Sequence, residues 1–99
     1  MDLPEFKESL SHTQPPAELT PLLRALWHDA KGHWERAHEI AQGEDSAAAA
    51  HLHAYLHRKE GDAPNARYWY RRAGKPYPEE SLEGEWETML RQFLEAENP

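Results

Sequence analysis

Two glycines and two alanines, repeated at one fixed offset, restrict what this chain can fold into more than any other feature. Gly32 and Ala37 recur 29 positions later as Gly61 and Ala66. The same offset pairs Leu23 with Leu52, Ala25 with Ala54 and His28 with His57. The second unit runs on as Gly61-x4-Ala66-x3-Tyr70-x2-Ala73-x4-Pro78. A glycine at each turn allows a left-handed backbone at little steric cost. An alanine just beyond it lets two helices cross closely. Each unit is therefore expected to be a helix pair that cannot bury its apolar face alone.

The helical pattern fills in around those turns. Thr20 and Pro21 suit a helix start, since proline at the first helical position forfeits nothing. Leu19, Leu22, Leu23, Leu26, Trp27 and Ala30 then form an apolar stripe. A second helix is expected from Trp34 to Gln42, stopped by Gly43. A third, capped by Asp45, carries the Ala47–Ala50 run, Leu52, Tyr55 and Leu56 up to Gly61. A fourth, capped by Asp62, turns Ala66, Trp69, Tyr70 and Ala73 inward and ends at Gly74. Pro76 and Pro78 bar its continuation. A fifth carries Leu82, Trp86, Met89, Leu90, Phe93 and Leu94, with Gly84 weakening its first turn. No strand-like alternation occurs. The fold class is all-α: about five helices, arranged as two antiparallel hairpins (19–43 and 45–74) and a capping helix (79–97). Residues 1–18, with Pro4, Pro15 and Pro16, form an N-terminal arm that has room for one helical turn around Glu5 to Leu10. Phe6 and Leu10 are spaced to dock on the core.

The second unit resembles a tetratricopeptide (TPR) or Sel1-like repeat. Tyr68-Trp69-Tyr70-Arg71-Arg72-Ala73 is similar to the W-Y-R-K-A segment of Sel1-like repeats, and Ala54 and Pro78 match the small residue and terminal proline of the TPR pattern. The resemblance covers Leu19 to Pro78. In the first unit Ala41 stands where Tyr70 would, and Glu44 where Ala73 would. His28 and His57 occupy places where the family usually has an aromatic. The stretch from Ala25 to Ala73 is also similar to a family of small bacterial helical proteins, which implies no activity. The repeat resemblance implies a protein- or peptide-binding module. The first helix of each pair would line a concave surface, presenting His51, Tyr55, Arg58 and Lys59, with Arg71 nearby. One aromatic and two cations suit a carboxylate or an acidic partner segment. The plainer alternative is that Arg58 and Lys59 complement the negative end of their own helix.

Composition narrows the rest. The chain has 99 residues, 38% of them hydrophobic, and a formal charge of −7. Four tryptophans and four tyrosines argue for a packed core. The absence of cysteine removes disulfide and thiol chemistry and fits a cytoplasmic setting. Met1 to Glu5 has neither a basic nor an apolar leader pattern, and no apolar run approaches the roughly 20 residues of a membrane span. Charge is segregated: Arg58–Lys75 carries six basic and two acidic residues, whereas 76–99 carries seven glutamates and one arginine. Internal pairing of Arg67, Arg71 and Arg72 with Glu79, Glu80, Glu83 or Glu85 is expected. Nucleic-acid binding through Arg67, Tyr68, Arg71 and Arg72 is not, because Trp69 and Tyr70 fall at core positions and the chain is acidic overall. A homodimer that covers leftover apolar surface is a further expectation.

Seven histidines are the remaining candidates for chemistry. His53 and His57 are spaced i, i+4, so their rings share a helix face. That spacing serves helical metal sites, with His28 or Glu60 as a third ligand for a divalent ion. The intervening residues supply no H-E-x-x-H base. His28, His33 and His38 recur every five residues and point to no common centre. The competing readings are polar surface, aromatic-like packing, and a neutral His pair that hydrogen-bonds a small organic ligand, in a binding protein or an enzyme. No catalytic residue is expected: there is no phosphate-binding glycine loop and no nucleophile elbow.

Overall fold

A computed structural model describes residues 1–97, and among them the chain is all-helical. There are six helices: α1 (Leu3–Ser9), α2 (Pro21–Ala30), α3 (Trp34–Gln42), α4 (Ala47–Lys59), α5 (Ala63–Ala73) and α6 (Leu82–Glu97). The helix beyond the expected five is α1, inside the segment read as an arm. Asp2 caps it by accepting from the Glu5 N–H at 2.9 Å. Phe6 is fully buried and meets Trp86 at a ring separation of 6.1 Å. Trp27 Nε1 donates to the Ser9 carbonyl at 3.3 Å, tying α1 to α2. None of the helices is long and apolar enough to cross a membrane.

The repeated turn is structural as well as sequential. Gly32 and Gly61 both have left-handed backbones, at φ of 83° and 89°. Behind each, the same bond closes the turn: His33 N–H to the His28 carbonyl at 2.8 Å, and Asp62 N–H to the His57 carbonyl at 2.9 Å. Leu23, Leu52, Ala25, Ala54, Ala37 and Ala66 are all buried. The heaviest packing is α4 on α5 and α2 on α3.

α4 is the central helix. It packs on α2, α3, α5 and α6, and every residue from Ala49 to His57 is buried. Neighbouring helices thus enclose the middle of α4. The face expected to carry His51, Tyr55 and Arg58 toward a partner is covered instead by α6. The main core joins Leu23, Leu26 and Trp27 of α2 to Leu52 and Leu56 of α4 and Met89, Leu90 and Phe93 of α6. A smaller cluster of Ala54, Ala66 and Tyr70, with Trp69 against it, holds α5 to α4.

The cap of α4 is Ser46, not Asp45. Its side chain accepts from the Ala49 N–H at 3.0 Å, and its backbone is extended at the helix entrance. Ser46→Ala is expected to cost about 1 kcal/mol in urea unfolding, and Asp45→Ala only a few tenths. Equal losses at the two positions would contradict this cap.

Candidate metal centre

α3 and α4 are joined by a short loop, so their residues pair in antiparallel order about Asp45 and Ser46. His38 and His53 are each seven residues from that pair, and their rings meet across the hairpin. Their Nε2 atoms lie 2.9 Å apart. His57 sits one turn beyond His53, its ring stacked on it at 4.8 Å and edge-on to His38 at 5.2 Å. One ring nitrogen from each of His38, His53 and His57 falls within 4.8 Å of the others. Tetrahedral bonds of about 2.1 Å place ligand nitrogens roughly 3.4 Å apart, a small side-chain adjustment away.

Aromatic packing fixes the rings. Trp34 stacks on His38 at 4.9 Å with planes 9° apart, and Trp69 stacks on His53 at 3.9 Å with planes 14° apart. Trp34 is itself anchored by donating from Nε1 to the Leu56 carbonyl at 2.8 Å. Glu60 Oε2 lies 2.7 Å from His57 Nδ1, and a carboxylate can only accept there. That places a proton on Nδ1, so a ligand bond from this ring would have to come from Nε2. A carboxylate behind a histidine in this way orients the ring and raises its basicity as a ligand.

The electrostatics favour the uncharged form that a metal needs at His53 and His38. Burial, then the neighbouring His38 and His57, depresses the His53 imidazole from 6.5 to about 4. Burial, followed by His57, also lowers His38, while Glu60 opposes the shift. Two imidazoles 2.9 Å apart, one buried and one half-buried, cannot both carry a positive charge cheaply.

Of the expected metal ligands, the structure brings His53 and His57 together and leaves His28 out. His28 Nδ1 meets His33 Nδ1 at 3.2 Å at the end of α2. The third imidazole is His38 instead, because antiparallel pairing, not the 29-residue translation, decides which α3 residue faces α4. His57, Glu60 and Asp62 form a second cluster of possible ligands. Its groups are already employed: Glu60 holds His57, and Asp62 caps α5 by accepting from the Asn65 N–H at 3.3 Å.

No known protein family, curated protein or solved structure matched this chain in comparison. Function therefore has to be read from its own residues.

The residues expected to meet a partner are mostly engaged internally. Tyr55 OH donates to Asp29 Oδ2 at 2.9 Å, and Lys59 Nζ donates to Asp29 Oδ1 at 2.9 Å. Burial, then the Asp29 charge, raises the Tyr55 hydroxyl far above its ordinary value. Arg58 Nη1 donates to Glu85 Oε1 at 2.8 Å, and its Nη2 to the Glu80 carbonyl at 2.5 Å. His51 Nε2 and Tyr70 OH donate to Glu85 Oε2 at 3.1 and 2.6 Å. Tyr55 and Lys59 still line a cavity of about 560 Å³ with Asp29 and Trp86. Arg71 is exposed on α5. Pairing of the α5 arginines with α6 does not form among the described residues; Arg58 takes Glu85 instead. Arg72 rests over the Trp69 and Tyr68 rings at 5.2 and 5.8 Å.

Proposed function

We propose that this protein binds a divalent transition-metal ion through His38, His53 and His57. The observation that carries the reading is the convergence of three ring-stacked imidazoles from α3 and α4, with Glu60 behind one of them. An all-imidazole set suits zinc, copper, nickel or cobalt and disfavours magnesium and calcium, which prefer oxygen donors. The scaffold is read as two hairpins of TPR/Sel1-like kind, a reading supported by the matching turns at Gly32 and Gly61. The ion would clamp the first hairpin to the second.

Protein prepared without a histidine tag and stripped with chelator is expected to bind one equivalent of zinc in calorimetry. Loss of the carboxylate in Glu60→Gln should weaken binding about tenfold. His53→Ala should weaken it further, and His28→Ala should leave it unchanged. Absence of saturable binding, or equal losses from His28→Ala and His53→Ala, would sink the proposal.

A second reading, an interaction module for an acidic protein or peptide, rests on Arg67, Tyr68 and Arg71, which stand exposed on α5 without an ion pair among the described residues. An Arg67→Glu, Arg71→Glu double variant that captured an acidic peptide as well as the parent would remove it.

A further inference from the structure

We infer that the cavity bordered by α1, α2, α4 and α6 binds a protonated organic amine with an apolar body. The site lies apart from the three-histidine cluster, none of whose members lines it, and it stands whether or not a metal binds. Its volume of about 560 Å³ suits a small organic molecule.

Apolar walls and a settled floor shape the cavity. Leu10, Leu82 and Trp86 line it, and Trp86 is half-buried, so part of the indole remains open. The ring is held in place: its Nε1 donates to the Leu26 carbonyl at 3.2 Å, and it packs against Phe6. At the inner end Asp29 is buried, and its two oxygens accept from Tyr55 OH and Lys59 Nζ.

Charge selects the ligand. Among the described residues five charged side chains line the cavity, and four of them pair off, Lys7 with Glu87 and Lys59 with Asp29. Glu83 is left over, exposed and without an ion pair among the described residues. The cavity thus carries one uncompensated negative charge beside an aromatic wall. Glu83 and Trp86 are spaced i, i+3 on α6, so carboxylate and indole are neighbours on one helix face. One ammonium can meet both, as an ion pair and as a cation–π contact, while its apolar body covers Leu10 and Leu82. A carboxylate ligand would instead have to draw Lys7 or Lys59 from its partner, and it would meet Glu83 unpaired.

Glu83 also complements the positive end of α6, so the test compares two ligand charges on the parent before any variant. It uses full-length protein with chelator present and phenethylamine, protonated at neutral pH, as the probe. Salt at about 0.15 M screens attraction to the acidic surface at large. Calorimetry is expected to show saturable binding of one equivalent. Hydrocinnamate, similar in shape and opposite in charge, should not bind. Glu83→Gln should weaken the amine about fivefold, the upper range for a charge pair open to water. Glu95→Gln, exposed on α6 outside the cavity, should leave affinity unchanged. Absence of saturable amine binding would overturn the inference. Equal or tighter binding of hydrocinnamate, or equal losses from Glu83→Gln and Glu95→Gln, would overturn it as well. Each of these results leaves the metal reading standing, because the chelated protein is the one titrated.

Discussion

Glu85→Ala is expected to destabilise the protein by about 3–5 kcal/mol, the range for breaking a buried charge network by removing one member. Glu85 is 1% exposed and ties α6 to two other helices. Its carboxylate accepts from His51 and Arg58 of α4 and from Tyr70 of α5. Burial alone pushes the Glu85 carboxyl up, but hydrogen bonds from His51, Tyr70 and Arg58 outweigh it and hold the group below its ordinary value. Truncation leaves a buried imidazole, a buried phenol and a half-buried guanidinium without their shared acceptor. Each stranded donor carries its own desolvation cost. A domain of this size is stable by only about 5–15 kcal/mol, so the variant should be close to unfolding. Glu85→Gln keeps one acceptor oxygen and should lose about half as much. Urea unfolding of the two variants checks the ordering. A Glu85→Ala loss below about 1 kcal/mol would mean that the network contributes little beyond what water supplies.

Glu85 also shows where the sequence stops being readable. The acidic helix reads as a solvated cap, and periodicity alone places a glutamate outward. What turns Glu85 inward is the arrival of Arg58, His51 and Tyr70 from two other helices, and none of those pairings is local. α4 hides its position for the same reason. Its aliphatic stripe is legible, but His51, His53 and His57 read as polar surface. They are buried because each is satisfied: His51 by Glu85 and His53 by His38, both from other helices, and His57 by Glu60 one turn further on. A scale that prices histidine as polar does not see a satisfied histidine.

The turns fared differently, because glycine geometry is local. Gly32, Gly61 and Gly74 all take the left-handed backbone that their placement after a helical pattern implies. The helix spans around them follow from that punctuation. For the site, the sequence offered a translation of 29 residues and a reflection about the Asp45–Ser46 turn. Translation aligns His28 with His57 and draws attention to His28. Reflection places Trp34 opposite His57 and His38 opposite His53, and these are the contacts the hairpin makes. The clue to His38 was present, but it required choosing packing across the short loop over homology between units. The third element, Trp69 stacked on His53, reads in the sequence only as an inward aromatic of the repeat.

Stability of the metal-free protein is expected to fall by about 2 kcal/mol between pH 7 and pH 5, with His53 the main cause. Its folded value of about 4 lies below the ordinary 6.5 that the unfolded chain keeps. In that interval the unfolded state takes up a proton that the folded state refuses, so stability declines as pH drops. The loss begins near pH 6.5 and is complete near pH 4, where it reaches about 3 kcal/mol at 1.36 kcal/mol per unit. His38, lowered in the same direction, adds to it. Glu85 acts later: its depressed value gives stability present above 4.5 and lost only as pH falls through the lower folded value. The two groups therefore fail in separate windows. His53→Phe, which keeps a ring against Trp69, should flatten the slope between pH 7 and pH 5 and leave the lower window intact. Zinc should steepen the upper slope, since protons then compete with an ion that stabilises only the folded chain. Urea midpoints at pH 7, 6 and 5, with chelator and with zinc, measure all three cases. A flat parent profile, or a His53→Phe profile as steep as the parent's, would move the acid sensitivity away from the three-histidine cluster and onto the carboxylates.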